Sequence, residues 1–218
     1  MTHSPNRTTL SARTTTMKDA ATFETTLKKL LRQLCAEFIF HPDDLEISTK
    51  RFKTIIGIQW RGHRADTSRM IGERGETFRA LAEYLKLVGQ QHGYDVELER
   101  IQEATKGEPE RYPPFKANPD WPRERIMALL EAAVTAASRN GQVEVTSGDV
   151  GSDRTGIEVA ISTKETAHTE GKIRETLRHL FKVIGNANGR VLLVDVTRTL
   201  DPDPEQPQSA AGRFAKVR

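Results

Sequence analysis

Four prolines, Pro109, Pro113, Pro114 and Pro119, fall in the nineteen residues from Gln102 to Asp120. Proline has no backbone N–H, and its ring is excluded from helix interiors and central strands, so no regular element is expected to run through this stretch. It reads as a linker, residues 102–120. It cuts the 218-residue chain into two spans of about 80 residues each, 21–101 and 121–198. Each span suits one small domain and is too short for a thick core. A hydrophobic share of 36%, with aromatics at only 6%, agrees with thin cores.

The two ends read as tails, residues 1–20 and 199–218. Met1 to Thr16 hold Arg7 and Arg13, no acid, no apolar run and many Ser and Thr. That pattern suits a disordered tail; an arginine-bearing, acid-free start also occurs in organelle transit peptides. Met17, just ahead of the first periodic segment, is a second candidate start. The other tail contains Pro202, Pro204 and Pro207 and ends in Arg213, Lys216 and Arg218, a solvated terminus with a small basic tip.

The two spans follow one plan. In the first, Phe23, Leu27, Leu30, Leu31, Leu34 and Phe38 recur at helical spacing, and His41-Pro42-Asp43-Asp44 is expected to stop that helix. Leu45 to Ile47 and Thr54 to Trp60 read as strands, with Lys50 to Lys53 as their turn. Phe78, Leu81, Ala82, Leu85 and Val88 predict a second helix closed by Gly89 and Gly93, and Tyr94 to Arg100 alternates as a last strand. In the second span, Ile126, Leu129, Leu130, Ala133, Val134 and Ala137 predict a helix, with Pro122 in its opening turn and Asn140-Gly141 at its end. Gln142 to Ser147 and Gly156 to Ser162 read as strands around a turn at Gly148 to Thr155. Ile173, Leu177, Leu180, Phe181 and Ile184 give the next helix, closed by Gly185 and Gly189 ahead of a strand at Val191 to Val196. The repeated order predicts an internal duplication.

Composition removes several functional classes. No run approaches the eighteen or so apolar residues of a spanning helix, so no membrane association is expected. One cysteine, Cys35, allows neither a disulfide framework nor a four-cysteine zinc site, and it points to a reducing, cytoplasmic compartment. The six histidines show no i, i+4 pair, so neither a metal nor another cofactor is expected. No nucleophile elbow appears, and Gly171-Lys172 lacks the upstream glycine and the hydroxyl residue of a phosphate-binding loop. Asp43 and Asp44 sit in a helix-stop turn as capping groups. No catalytic residue is assigned, and an enzyme is not expected.

The distinctive motif is Gly72-Glu73-Arg74-Gly75, directly ahead of the second predicted helix. A Gly-x-x-Gly string carries little by itself, and Gly148-Asp149-Val150-Gly151 is a second one, placed in a predicted strand-to-strand turn. Context gives the first its meaning. Two glycines let a backbone approach a sugar-phosphate chain with no Cβ between them. The helix that follows offers unpaired N–H donors and a partial positive charge. Residues 21–101 are nearly neutral, with 13 basic and 12 acidic residues. Yet Trp60 to Arg79 holds five arginines, Arg61, Arg64, Arg69, Arg74 and Arg79, against three acids. Trp60 itself, at a strand end with apolar alternation behind it, is expected in the core or at its rim.

These residues resemble a family. The segment from Phe23 to Ile101 looks like a KH domain, in particular the small bacterial single-KH RNA-binding proteins of the KhpA type. The likeness rests on His41-Pro42-Asp43-Asp44-Leu45-Glu46-Ile47, which resembles a His-Pro-acidic signature ahead of the first strand. It rests also on Asp66 to Ile71 leading into Gly72-Glu73-Arg74-Gly75. The order helix, strand, strand, short helix, loop, helix, strand matches the prokaryotic type II arrangement. The resemblance implies an α+β fold of tandem KH-like type II domains, each a three-stranded sheet with helices on one face. It implies a loop that clamps about four single-stranded nucleotides, with the bases in an apolar groove between the short helix and the sheet edge. The residues it places against RNA are Gly72, Glu73, Arg74 and Gly75, with Ile71, Arg69, Arg64 and Arg79 around them. Two departures stand out: Glu73 replaces the usual basic residue, leaving Arg74 to restore the charge, and Ser68 stands where glycine is common.

In the second span the loop falls at His168-Thr169-Glu170-Gly171 if the closing glycines are matched. It falls at Gly171-Lys172-Ile173-Arg174 if Glu175-Thr176-Leu177 is matched to Glu76-Thr77-Phe78. One glycine of the pair is missing either way, so this copy is expected to be degenerate, with weak RNA contacts or none. The function implied is single-stranded RNA binding in the bacterial cytoplasm, as a post-transcriptional regulator, RNA chaperone or ribosome-associated factor. Proteins of this type also pair with themselves, as homodimers, or with another RNA-binding protein. The alternative is a protein-interaction scaffold that keeps the fold without binding nucleic acid.

Overall fold

The computed structural model describes residues 17–103, 123–138, 142–151, 154–162, 167–189 and 191–198. The predicted tail 1–16, most of the predicted linker, Pro122, Asn140-Gly141 and the C-terminal tail lie outside the described residues. The fold is α+β, with two small sheets and helices packed between them.

The first helix, α1 (Met17–Cys35), buries Phe23, Leu27, Leu30, Leu31 and Leu34 as the periodicity requires. Met17 to Ala20, expected in the tail, form its opening turn, and Ala20 is buried. The stop differs from the expected one. The regular helix ends at Cys35, well ahead of Pro42, and tightens into short-range bonds from Glu37 N–H to Leu34 O and Phe38 N–H to Cys35 O. The tighter winding keeps Phe38 and Ile39 in the core, so the apolar series continues past the helix that generated it. A 3-10 turn at Pro42–Asp44 then delivers the chain to the sheet.

Strands β1 (Glu46–Phe52) and β2 (Ile55–Gly62) pair antiparallel, with Glu46 opposite Arg61 and Phe52 opposite Ile55. The turn is only Lys53-Thr54, with Lys53 in the left-handed region at φ 55°. It is shorter than expected because the ladder runs on through Lys50 and Arg51. Ile56, Ile58 and Trp60 alternate inward from β2 and are buried. A 3-10 turn at Arg64–Asp66 leads into α2 (Thr67–Ile71), then into α3 (Glu76–His92). Gly93 caps α3 at φ 80°, and Gly89 must be glycine because a Cβ there would lie 2.9 Å from the Tyr94 carbonyl oxygen. Strand β3 (Asp95–Leu98) returns parallel to β2, as a crossover through helices demands. The two-residue strand β4 (Gln102–Glu103) also pairs β2, so the first two residues assigned to the linker belong to the sheet.

The second half repeats this pairing. After α4 (Arg123–Ala137), strands β5 (Gln142–Gly151) and β6 (Arg154–Ser162) are antiparallel. Helix α5 (Ala167–Ala187) then leads to β7 (Val191–Arg198), parallel to β6. The turn expected at Gly148 to Thr155 is mostly paired strand. Gly148 faces Gly156 and Asp149 faces Thr155, with a register shift between Asp149 and Gly151 that marks a bulge.

The halves are not two separate cores. Buried residues of α1, α3, α4 and α5 form one continuous cluster, with α3 packed on α5 and on α4, and α1 on α4. Polar contacts stitch this seam. The Tyr84 hydroxyl donates to the Ala133 carbonyl at 2.8 Å in a fully buried setting, which pushes the phenol well above its ordinary titration range. Arg125 donates to the buried Glu37 carboxylate at 2.8 Å, and the Asn188 amide donates to the Glu37 carbonyl at 2.9 Å. Among the described residues no helix is long and apolar enough to cross a membrane.

Candidate nucleic-acid interface

The link between β2 and β3 carries a segment ahead of its long helix that is much longer than its counterpart in the second half. Residues 63–75 separate β2 from α3, whereas only residues 163–166 separate β6 from α5. The first segment winds into α2, breaks at Gly72, makes a 3-10 turn over Glu73–Gly75 and enters α3 at Glu76. Gly72 N–H donates to Ser68 O at 2.8 Å, and Gly75 N–H donates to Gly72 O at 3.1 Å. Three of the four loop residues have positive φ: Gly72 at 77°, Arg74 at 50° and Gly75 at 79°.

The two glycines serve different needs. At Gly72, with ψ 170°, a Cβ would lie 2.6 Å from the Thr77 backbone nitrogen, so the loop folds directly onto the first turn of α3. At Gly75 a Cβ would meet nothing within 4 Å. The backbone there borders open space, where a ligand backbone can come close. Arg74 takes a left-handed conformation that costs a non-glycine residue about 1–2 kcal/mol. Its carbonyl accepts a bond from Arg79 Nη2 at 3.2 Å, which holds the loop tip.

The predicted residues form one surface segment. Glu73 and Arg74 are exposed at the tip; Ile71, 43% exposed, closes α2; Arg64 and Arg79 are exposed on either side. Arg69 is half-buried, its guanidinium 3.6 Å over the Phe40 ring. Trp60 is buried and donates through Nε1 to the Glu99 carbonyl at 2.8 Å, a core role.

Sequence reasoning missed what anchors this segment. Asp66 is fully buried just ahead of α2, and its carboxylate accepts from the backbone N–H groups of Phe40 at 2.9 Å and His41 at 2.8 Å. The His41 ring nitrogen Nδ1 lies 3.1 Å from the same carboxylate, and the ring centroid lies 4.1 Å from that of His63 at a tilt of 33°; the His63 Nδ1 accepts from Ala65 N–H. The His-Pro turn after α1 is thus tied to the helix that carries the loop. A lone Asp between Ala65 and Thr67 gives no such signal in sequence. Phe40 went unnoticed for a similar reason, since it looks like one more apolar residue at the end of α1.

In the second half both expected loop positions lie inside one uninterrupted helix. Gly171, Lys172, Ile173 and Arg174 are helical residues of α5, and Arg174 pairs with Glu170 one turn back at 2.9 Å. This half has no counterpart of α2 or of the loop among its described residues. Cys35, the one thiol, is fully buried, and burial pushes it well above its usual range, so it stays neutral. Among the described residues no cluster of His, Cys, Asp or Glu could hold a metal. No protein-family model matches the chain, and no curated protein matches it.

Proposed function

We propose that the first half binds single-stranded RNA, with the Gly72–Gly75 loop gripping the backbone and the neighbouring arginines supplying positive charge. The observation that carries this reading is the loop's shape: three left-handed residues in four, the last bordering open space at the start of a long helix. The Gly72 and Gly75 N–H groups are satisfied within the loop, and the open backbone at Gly75 is where a phosphodiester can approach without meeting a side chain. Helix, strand, strand, short helix, loop, helix and strand follow one another as in the KH family, and the reading adopts that family's mode of binding. The second half is then a KH-like copy without a grip, serving as the packing partner of the first.

A scaffold without nucleic-acid binding is the competing reading, and exposed Glu73 at the loop tip is the observation that favours it. Salt separates the two. Affinity for a short single-stranded RNA is expected to fall steadily as salt rises. Arg74→Ala is expected to lessen the slope of log affinity against log salt by about 0.7, one phosphate contact on a single strand. Fluorescence anisotropy at four or five salt concentrations measures both. Absence of binding at the lowest salt would establish the scaffold reading instead.

A further inference from the structure

Helix α2 is five residues long, and Met70 is its one buried residue. So short a helix has no stability of its own, and a single apolar anchor would let it pivot. Its course is therefore set by ties to its neighbours. At its head Asp66 is fully buried, and the carboxylate accepts from Phe40 N–H at 2.9 Å and from His41 N–H at 2.8 Å. The His41 ring reaches the same carboxylate through Nδ1 at 3.1 Å. Three residues on, the Arg69 guanidinium lies 3.6 Å from the centroid of the Phe40 ring. Both ties end on the turn after α1. Because they lie nearly one helical turn apart, they fix the direction of the α2 axis as well as its start. Gly72 follows Asp66 by six residues, about 9 Å along that axis, so a tilt of about 10° at the head would carry the loop about 1.5 Å. A binding constellation works only within about 0.5 Å of its productive geometry.

We propose that Asp66 and His41 are positioning residues of the RNA grip: Asp66, buried and out of reach of any ligand, acts through α2 to set where Gly72–Gly75 is presented. This rests on the RNA-binding reading of the loop and deepens it, since affinity is then set partly by the turn after α1, far from the loop in sequence. The arrangement asks for an N–H at the position of His41 Nδ1. Asparagine can place its amide there; alanine places nothing. At position 66 an asparagine keeps one accepting oxygen but turns an NH2 group on one of the two backbone donors, so the tie is broken without a change of volume.

The test compares the full wild-type chain with H41A, H41N and D66N by fluorescence anisotropy on a labelled single-stranded RNA, in the cold, where circular dichroism shows each variant folded. H41A is expected to bind about fivefold more weakly and D66N about tenfold more weakly, while H41N matches wild type. Amide spectra of the RNA-free proteins supply the second readout. H41A and D66N are expected to shift the Gly72 and Gly75 amides along one line, D66N further, and H41N to leave them in place. H41A and H41N decide the matter alone if D66N does not fold. If H41A and D66N bind like wild type while the E73D/R74D variant does not bind, the positioning role is wrong and the loop reading stands. Loop amides unmoved in H41A, or no recovery of affinity in H41N, would overturn the role as well. If wild type binds no RNA at all, both readings fall.

Discussion

Replacing Glu73 and Arg74 together by Asp is expected to weaken RNA binding at least about 100-fold and to leave the fold unchanged. Both side chains are exposed at the loop tip, so nothing in the core depends on them. Asp tolerates the left-handed conformation at position 74 better than most residues, so the backbone keeps its course. The binding loss has two sources. A charge-assisted hydrogen bond to phosphate, worth about 1.5–3 kcal/mol, disappears with Arg74, and an anion then stands where a phosphate must come. Each 1.4 kcal/mol is a factor of ten, so the two effects together reach the expected loss. The same pair of substitutions at Gly171 and Lys172, both exposed on α5, is expected to change affinity less than twofold. Electrophoretic mobility shift with the two double variants side by side measures the contrast.

The two loop glycines are expected to fail in opposite ways. Gly72→Ala should cost about 3 kcal/mol or more of stability, because φ 77° with ψ 170° is a region that side chains rarely enter. The added methyl would also press on the Thr77 backbone nitrogen, which cannot move without unwinding the first turn of α3. For a chain of this size that loss lowers the melting temperature by roughly 6–12 °C. Gly75→Ala should cost about 1–2 kcal/mol, the strain of a left-handed alanine, since a Cβ there meets no protein atom. Its methyl would occupy the space that the proposed binding mode gives to the nucleic-acid backbone, so its larger effect should be on affinity, about tenfold or more. Thermal melts and RNA titrations on both variants should therefore rank them in opposite orders.

Much of the fold is visible in periodicity. The apolar stripe of α1, the alternation of Ile56, Ile58 and Trp60 in β2, and the stops at Gly93 and Gly189 follow from local spacing, whereas Gly89 and Gly185, expected to share in those stops, lie inside α3 and α5. The glycine loop is visible because glycines at fixed spacing ahead of a helical stripe mark a backbone need that no other residue meets. What stays hidden depends on partners distant in sequence. Tyr84 sits among apolar residues of α3, and only the second half supplies the Ala133 carbonyl that its hydroxyl requires. The pairing of Gly148 with Gly156 is likewise set by the whole β5–β6 ladder, which overrides the turn preference of its glycines. Gly171 looks like the remnant of a loop. A single exposed glycine costs a helix only about 1 kcal/mol, and the apolar stripe of Ile173, Leu177, Leu180, Phe181 and Ile184 outweighs that. Asp66 and Phe40 act through backbone contacts across more than twenty residues, which no spacing rule detects.

The packed seam also changes the meaning of the second half. Two domains joined only by a linker would move independently. Here the Glu37–Arg125 pair, the Asn188 bond to the Glu37 carbonyl and the shared apolar cluster fix α4 and α5 against the helices of the first half. The second half therefore has a physical task of its own, since it covers apolar surface that an isolated 80-residue unit would leave exposed to water.

The most direct measurement is an amide-resolved NMR titration of the full chain with a short single-stranded RNA. The expected result is salt-sensitive shifts concentrated at Arg69 to Arg79, largest at Gly72, Arg74 and Gly75, with the α5 amides from Gly171 to Arg174 unmoved. Saturable shifts that leave the loop untouched, or no shifts at all at low salt, would contradict RNA binding through the glycine loop.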